Sequence, residues 1–237
     1  MKKFVLCTVD GAIGKKDGKL GNPHQDATAE QKSWANPAVS DGTSLLNTVK
    51  SFKPHVLLGL STQANIFTEE MIKDMATHVE RPIILPMTNP THKSECTPTQ
   101  AYTWTNGRAI VATGSPFGPV KLPDGREFFP SQCNNMFVYP GIGLATSVAG
   151  ITQITDKMLY VAATACASST TAEDIEVGRT FPPVNRIRDI AQKVACAVIE
   201  EGIQAGLTTK ITSKHIEEGI PNLISRKMYF PTYVPLL

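Results

Sequence analysis

The chain lacks the features that would assign it to a membrane or nucleic-acid-binding class. Its 23 Lys and Arg residues nearly balance 21 Asp and Glu residues, and no basic run is longer than two residues. Nucleic-acid-binding proteins need a basic patch, which this charge pattern does not supply. No apolar stretch approaches the roughly 20 residues that a transmembrane helix requires. We therefore expect no nucleic-acid partner and no membrane partner.

Cysteines are few and unpaired in the sequence. There are five, an odd number, with no CxxC pair: Cys7, Cys96, Cys133, Cys166 and Cys196. This usage is typical of free thiols in a reducing compartment. Residues 4–9 are too short an apolar run for a signal peptide and end at Asp10. We find no targeting segment, and we expect the cytoplasm or an organelle matrix.

Several catalytic and binding motifs are also absent. There is no Walker A, HExxH or GxSxG sequence, and no GxGxxG follows an apolar strand. Gly11 and Gly14 have the wrong spacing for a dinucleotide-binding loop and indicate only a turn. The five histidines show no metal-ligand spacing. The residues alone therefore indicate no metal site and no phosphate loop.

Short apolar runs alternate with longer helical patterns along the chain. The predicted strands cover residues 4–9, 54–59, 82–87 and 109–113. The predicted helices cover residues 44–52, a segment capped by Thr68, a segment from Pro98 to Trp104 capped by Thr97, and residues 156–169 and 187–206. Strand–helix alternation with continuously apolar strands is typical of a parallel sheet covered on both faces. The predicted class is α/β, with a Rossmann-like, doubly wound, mostly parallel sheet.

Two segments show neither pattern. Residues 10–41 form a polar loop that is long for a compact domain, which is typical of a functional or partly disordered loop. Residues 228–237 contain two prolines and are predicted to be an extended tail.

Polar residues follow the predicted strands directly. Asp10, the turn containing Gly59 and Ser61, Asn89 and the Gly114-Ser115 turn all lie at carboxyl ends of strands. These ends meet at one edge of a parallel sheet, where doubly wound folds bind ligands. An acidic residue there can accept hydrogen bonds from both ribose hydroxyls of adenosine, although a turn-forming role for Asp10 explains the sequence equally well.

Asparagines form a second group of candidates. Asn89 precedes Pro90, so its amide is held at a strand tip and can bind a carboxylate, hydroxyl or carboxamide. An Asn-Pro turn is the alternative. Asn134 and Asn135 are adjacent, and consecutive side chains of an extended chain point in opposite directions. We expect only one of the pair to face a ligand, and a solvent-facing turn is again the alternative.

In the order in which they occur, many short motifs resemble those of malic enzymes. They are residues 66–70 (IFTEE), 80–84 (ERPII), 89–91 (NPT), 95–97 (ECT), 114–117 (GSPF), 119–120 (PV), 134–135 (NN), 139–143 (YPGIG) and 181–183 (FPP). Each motif is weak alone, but the conserved order makes the combined resemblance specific. It runs from about residue 4 to the carboxyl terminus.

The resemblance implies oxidative decarboxylation of malate to pyruvate and carbon dioxide with NAD or NADP and a divalent metal, Mg or Mn. It implies that Asp10 binds the adenosine ribose and that Gly59 and Ser61 pass beside the nicotinamide ribose. It further implies that Asn89 contacts malate and the nicotinamide, and that Asn134 and Asn135 lie at the substrate. Malate and pyruvate are then the small-molecule partners.

The resemblance also shows what this chain does not contain. The family's tyrosine acid, lysine base, metal-binding acidic residues and phosphate loop all belong to segments that precede the part matched here. We therefore predict no catalytic residue and no metal ligand in this chain, and no turnover by this chain alone. The predicted organisation is a partial NAD(P)-binding domain over residues 1–206, with a sheet incomplete at its N-terminal edge, and a C-terminal extension over residues 207–237.

Three interpretations remain open from the sequence. The chain is a piece of an enzyme, or a non-catalytic nucleotide-binding or interaction module derived from one, or one half of a site that another chain completes. An exposed sheet edge would favour self-association, so a homo-oligomer is a further expected partner. The residues after Asp10, which help to select NAD or NADP, leave that choice open.

Overall fold

The structure is a computed structural model that describes residues 4–15, 19, 24 and 26–229. The chain divides into two compact units, residues 1–130 and 131–237. The predicted division at residue 206 stays a prediction. No helix within the described part of the chain is long and apolar enough to cross a membrane.

The first unit contains a parallel sheet whose strands alternate with helices along the chain. Its elements are β1 (Cys7–Thr8), β2 (Gly11–Ala12), α1 (Ala29–Ser33), α2 (Leu45–Phe52), β3 (Val56–Gly59), α3 (Glu69–His78), β4 (Ile83–Pro86), α4 (Pro98–Trp104), β5 (Ile110–Thr113), β6 (Val120–Lys121) and β7 (Glu127–Phe128). β4 pairs in parallel with β3 on one side and with β5 on the other. Helices α3 and α4 are the crossovers that parallel neighbours require. The predicted α/β class is confirmed.

Helix starts in this unit follow the predicted capping residues. Thr68 accepts a hydrogen bond from the Met71 amide at the start of α3. At the start of α4, Thr97 and Gln100 form a capping box, and Pro98 occupies the first turn. Each side chain satisfies backbone groups that a helix terminus leaves unpaired. The predictions for Thr68 and Thr97 are confirmed.

The core of the first unit lies between one face of the sheet and helices α2, α3 and α4. Leu57, Ile84 and Val111 point into it from successive strands, and all three are buried. The alternate residues Val56 and Leu58 of β3 stay 40% and 49% exposed. At β3, the described helices therefore cover only one face of the sheet. The apolar pattern of the strand predicted that helices would cover both faces.

The first predicted strand differs most from expectation. Only Cys7–Thr8 of residues 4–9 is a strand, and it pairs antiparallel with Gly11–Ala12 instead of entering the parallel sheet. Carbonyl groups beside it bond to the segment that follows: Leu6 accepts from the Ile13 amide at 2.8 Å and Phe4 accepts from Asn36 Nδ2 at 2.6 Å. Gly11, with φ of +104°, makes the tight reversal possible. Pairing with this following segment replaces the predicted parallel strand.

Helices dominate the second unit. Its elements are β8 (Ser131–Gln132), a 3-10 turn (Asn135–Phe137), α5 (Tyr139–Ala149), α6 (Asp156–Ala167), α7 (Ala172–Glu176), a 3-10 turn (Val184–Arg186), α8 (Ile187–Gln204), α9 (Ser213–Glu218) and α10 (Ile220–Lys227). The predicted helices at 156–169 and 187–206 are confirmed as α6 and α8. The sequence reasoning missed α5, α7, α9 and α10. Of the predicted extended tail, residues 230–237 lie outside the described residues.

The long helix α8 is the centre of the second unit. Its buried residues Val194, Val198 and Ile199 share one apolar cluster with residues from α5, α6 and α10. Gly141 lets α5 approach closely, because a β-carbon there would lie 2.6 Å from Val194 Cβ. The packing of three shorter helices around α8 explains how helices without strong sequence patterns are stabilised.

Candidate functional site

The three parallel strands of the first unit end together, and a polar turn follows each of them. β3 ends at Gly59, β4 at Pro86 and β5 at Thr113, and Gly59 is paired with Pro86 in the sheet register. Ser61, Thr88 and Ser115 lie within two residues of these ends. This is the edge at which parallel α/β sheets bind ligands.

A buried carboxylate ties the first two turns together. Glu95 is fully buried, and its Oε1 accepts hydrogen bonds from the Ser61 amide at 3.1 Å and the Ser61 hydroxyl at 3.2 Å. The same oxygen accepts a hydrogen bond from Thr88 Oγ1 at 2.5 Å, and Oε2 accepts one from the Thr88 amide at 3.4 Å. A carboxylate is tolerated in the interior where such donors replace water. Glu95 therefore holds the turns after β3 and β4 in one arrangement.

Gly59 leaves room for this carboxylate because it has no side chain. A β-carbon at Gly59 would lie 2.4 Å from Glu95 Cδ and 2.5 Å from Oε2. Both distances are far below the ~3.5–4.0 Å at which non-bonded heavy atoms pack. A glycine at the end of β3 is therefore required by Glu95 beneath it, whatever a ligand does above it.

Asn89 is oriented by the third turn. The buried Ser115 donates a hydrogen bond from Oγ to Asn89 Oδ1 at 2.5 Å, while the Asn89 residue itself is exposed. The Asn89–Pro90 peptide bond is cis. A β-carbon at Gly114 would lie 2.0 Å from the Met87 carbonyl oxygen, so glycine lets the ends of β4 and β5 meet. The structure thus presents an amide of defined orientation at the sheet edge.

Asp10 lies in a different local setting. It is exposed in the turn between β1 and β2, and its amide donates to Thr8 Oγ1 at 3.2 Å. Because β1 pairs outside the parallel sheet, the carboxyl-edge argument that singled out Asp10 does not apply to it directly. Its carboxylate is nevertheless accessible to a ligand.

The two adjacent asparagines of the second unit differ in exposure. Asn134 is half-buried and extended, and its Oδ1 accepts a hydrogen bond from the Met136 amide at 3.0 Å. Asn135 is exposed and begins the 3-10 turn. The two side chains therefore have unlike roles, and Asn135 is the more accessible one.

The structure brings together some predicted residues and adds others. Gly59, Ser61 and Asn89 share the sheet edge of the first unit. Glu95 and Thr88 were not predicted as site residues, although Glu95 belongs to one of the motifs that resembles malic enzymes. The sequence signal that could have identified Glu95 is its neighbour Cys96, a residue type that is most often buried.

The described residues offer no thiolate and no metal cluster. Burial raises the pKa of Cys96 to about 12, with the Glu95 carboxylate adding to the effect, and burial also raises the pKa of Cys133. Both side chains are therefore neutral thiols near pH 7. Within the described part of the chain, no three His, Cys, Asp or Glu side chains lie where they could hold one metal ion.

Comparison with known proteins decides the family. The family model of the malic enzyme NAD-binding domain matches residues 1–203. The chain belongs to the malic enzyme family. An NADP-dependent malic enzyme of Sus scrofa is 36% identical over 237 residues, covering 100% of this chain and 41% of the relative. An NAD-dependent malic enzyme of Vibrio campbellii is 37% identical over 198 residues, covering 84% of this chain and 35% of the relative.

The relatives are much longer than this member of the family. An NADP-dependent malic enzyme of Vitis vinifera is 40% identical over 241 residues, covering 98% of this chain and 40% of the relative. The chain thus spans about two fifths of the length of these malic enzymes. The crystal structure of an Entamoeba histolytica malic enzyme matches with a TM-score of 0.69 at 24% identity, covering 94% of this chain and 42% of that chain. This likeness confirms the Rossmann-like fold.

Proposed function

We propose that this chain supplies the sheet-edge part of the cofactor and malate site of a malic enzyme. The complete enzyme oxidatively decarboxylates malate to pyruvate and carbon dioxide, using NAD or NADP and a divalent metal, Mg or Mn. The observation that carries the proposal is the exposed Asn89 amide, oriented by the buried Ser115 at the carboxyl edge of a parallel sheet. Family membership and the ordered motifs support it.

A nicotinamide cofactor fits the chemistry of this edge. The hydroxyl and amide groups of the edge, together with the exposed Asp10 carboxylate outside the parallel sheet, suit the ribose hydroxyls and the carboxamide of a dinucleotide. Asp10 accepts hydrogen bonds from the adenosine ribose in this proposal. Gly59 and Ser61 form the wall beside the nicotinamide ribose, where Glu95 keeps the turn in place.

The asparagines bind the substrate in this proposal. Asn89 lies near both malate and the nicotinamide, and Asn134 and Asn135 contact malate. Their amides orient malate so that the hydrogen on its C2 faces the nicotinamide ring. Such orientation lowers the activation free energy of a reaction between two bound molecules. The cofactor supplies the hydride chemistry itself.

We assign no metal ligand and no acid or base to this chain. The described residues do not gather a donor set for Mg or Mn, so we derive no metal-dependent step from them. We therefore propose that the chain binds nucleotide weakly and does not turn over alone.

Chemical-shift mapping of the full chain tests the binding assignment. We expect NAD to shift the backbone amide signals of Asp10 and Ser61 and the side-chain amide signal of Asn89. A dissociation constant of about 1 mM corresponds to roughly −4 kcal/mol, a reasonable value for a few polar contacts. Asp10→Ala should weaken binding about threefold to tenfold, and Asn47→Ala, an exposed position on α2, should not. Shifts that avoid all three residues would overturn the assignment.

A turnover assay tests the second part. The chain is mixed with malate, manganese and NAD or NADP, and reduced cofactor is followed by its absorbance. We expect no reduction with either cofactor. Malate-dependent turnover that disappears in Asn89→Ala would show that an acid, a base and metal ligands are present after all, and would refute the proposal of an incomplete site.

The proposed protein partner is the remainder of the enzyme or a second copy of this chain. Val56, Leu58 and Leu60 are 40%, 49% and 71% exposed along β3 and its end, and apolar patches of this kind favour association. Light scattering should detect species larger than a monomer, and a monodisperse monomer would contradict this.

The cytoplasm or an organelle matrix is the proposed compartment, since all five cysteines are free thiols; recovery from a secreted fraction would contradict it.

A further inference from the structure

A buried polar cluster lies directly behind the Asp10 turn. The side chains of His24 and Asp41 are 3% and 1% exposed, and His24 Nδ1 lies 2.8 Å from Asp41 Oδ1. On the other side of the ring, His24 Nε2 lies 2.8 Å from Thr8 Oγ1. Asp41 Oδ1 also accepts the Gly14 amide at 3.0 Å. The cluster connects the ends of the long loop to the β1–β2 hairpin.

For a neutral imidazole, the partners fix the direction of each hydrogen bond. The Asp41 carboxylate accepts, so Nδ1 of such a ring carries the proton, and Nε2 then accepts from the Thr8 hydroxyl. The Thr8 oxygen then accepts the amide of Asp10 at 3.2 Å. The alternative acceptor for the Thr8 hydroxyl, the Gly11 carbonyl, is farther away at 3.5 Å. The result is a continuous series of hydrogen bonds that runs from Asp41 through His24 and Thr8 to the backbone amide of Asp10.

Backbone and side-chain contacts both support this turn. The hairpin has two residue pairs, Cys7 with Ala12 and Thr8 with Gly11, and a two-stranded hairpin by itself is marginally stable in water. Further backbone hydrogen bonds hold its second strand, from the Ala12 amide to the Thr43 carbonyl at 2.8 Å and from the Gly42 amide to the Ala12 carbonyl at 2.9 Å. The bond from the Asp10 amide to Thr8 Oγ1 is the contact that joins the turn itself to the buried side chains.

We propose that Thr8, His24 and Asp41 are positioning residues that aim the Asp10 carboxylate at the ribose of the adenosine half of the cofactor. This inference rests on the proposed contact between Asp10 and the ribose. It adds that the contact depends on a buried hydrogen-bond chain whose members do not touch the nucleotide.

The test measures discrimination for ribose hydroxyls. The full chain is titrated by nuclear magnetic resonance with AMP and with dideoxyadenosine monophosphate, which lacks both hydroxyls, and the ratio of the two dissociation constants is compared among variants. Two hydrogen bonds to a carboxylate predict a ratio of about tenfold or more in the wild type. We expect a ratio near one in Asp10→Ala and about threefold in Thr8→Val, which keeps the shape but removes the hydroxyl. Thr8→Ser, which restores the hydroxyl, should recover the wild-type ratio.

Each pattern of results has a distinct meaning. If Asp10→Ala abolishes the discrimination and Thr8→Val leaves it unchanged, the positioning role is wrong and the ribose contact stands. If Asp10→Ala leaves the discrimination unchanged, the ribose contact itself is wrong and the inference falls with it. Folding of each variant is checked by tryptophan fluorescence, to which Trp34 contributes; its ring packs edge-on against Phe4 at 6.0 Å beside the hairpin.

A second measurement needs no variant. Ring nitrogen shifts of His24, recorded in the wild-type chain at about pH 8 where unperturbed histidines are neutral, report which nitrogen carries the proton. We expect protonated Nδ1 and bare Nε2. A ring that is protonated at Nε2, or one that exchanges between tautomers like a solvent-exposed histidine, would overturn the proposed chain.

Discussion

Replacing Glu95 should reveal how strongly the sheet edge depends on one buried side chain. Glu95→Met keeps a similar length and volume but removes every acceptor. Ser61 is exposed, so water can satisfy its amide and hydroxyl, whereas Thr88 is only 5% exposed. The cost therefore concentrates on Thr88, whose hydroxyl and amide both lose their partner.

The magnitude follows from those two groups. A buried donor left without a partner costs about 1–3 kcal/mol, so with two such donors we expect Glu95→Met to lower the free energy of unfolding by about 2–6 kcal/mol. Thr88→Val removes the 2.5 Å hydrogen bond to the carboxylate and should cost about 1.5–3 kcal/mol, the range for bonds to charged groups. It also removes the acceptor of the Thr62 amide at 3.1 Å, but Thr62 is exposed, so water can replace that acceptor. In the double variant the orphaned hydroxyl no longer exists, so the two costs should not add. We expect the double variant to fall short of their sum by about 1–3 kcal/mol.

The assay is urea unfolding followed by tryptophan fluorescence. The chain has two tryptophans, Trp34 and Trp104, and both lie in the first unit, so the signal reports the unit that contains Glu95. Asn47→Ala on the exposed face of α2 is the control and should change stability little. Additivity of the two single variants within ~0.5 kcal/mol would refute the argument, because it would mean that Glu95 and Thr88 act independently.

Tyr102, Arg108 and Gly141 supply further tests. No described residue bonds the buried Tyr102 hydroxyl, so Tyr102→Phe should leave stability unchanged or raise it by up to about 1 kcal/mol in urea unfolding at neutral pH. Burial raises the pKa of Tyr102 to about 12, so the unfolded state loses the phenol proton at a lower pH than the folded state. Between about pH 10 and 12, the free energy of unfolding of the wild type should therefore fall by about 1.4 kcal/mol per pH unit relative to that of Tyr102→Phe. Urea unfolding at several pH values measures this difference. Arg108 donates to the Ala76 carbonyl at 2.9 Å and the Glu80 carbonyl at 3.0 Å at the end of α3, so Arg108→Met should cost about 2–3 kcal/mol by tryptophan fluorescence, and Arg108→Lys less. Gly141→Ala should cost about 1–3 kcal/mol by far-ultraviolet circular dichroism because its β-carbon meets Val194, whereas Gly143→Ala, with open space at that position, should stabilise α5 by about 0.5–1 kcal/mol.

Local chemistry made several elements readable from the sequence. Residues 54–59, 82–87 and 109–113 are apolar runs bounded by turn formers, and each contains a strand of the parallel sheet. Thr68 and Thr97 cap helices because a hydroxyl at that position satisfies a terminal amide regardless of what packs around it. The order of short motifs was enough to predict the family. These features depend on neighbours in the chain, so the chain alone determines them.

Other elements depended on partners far away in the sequence. α5 contains Pro140, Gly141 and Gly143, and such residues predict a turn; the helix forms because Pro140 lies in its first turn and Gly141 packs against α8. Residues 4–9 resemble a buried strand, but their carbonyl groups pair with the loop that follows. In both cases the decisive contacts join residues that the local pattern cannot connect.

The candidate site divides in the same way. Gly59, Ser61 and Asn89 could be named in advance because polar residues at strand ends are visible in a sequence, whereas Asp10, named by the same rule, follows a strand outside the parallel sheet. What holds them could not: Glu95 is brought beneath Gly59 by α4 and the turn before it, and His24 meets Asp41 across a loop of 16 intervening residues. A buried polar group is stable only among donors and acceptors that the folded chain assembles around it. The sequence by itself determined which groups reach the sheet edge, and only the tertiary structure decided which buried side chains hold them there.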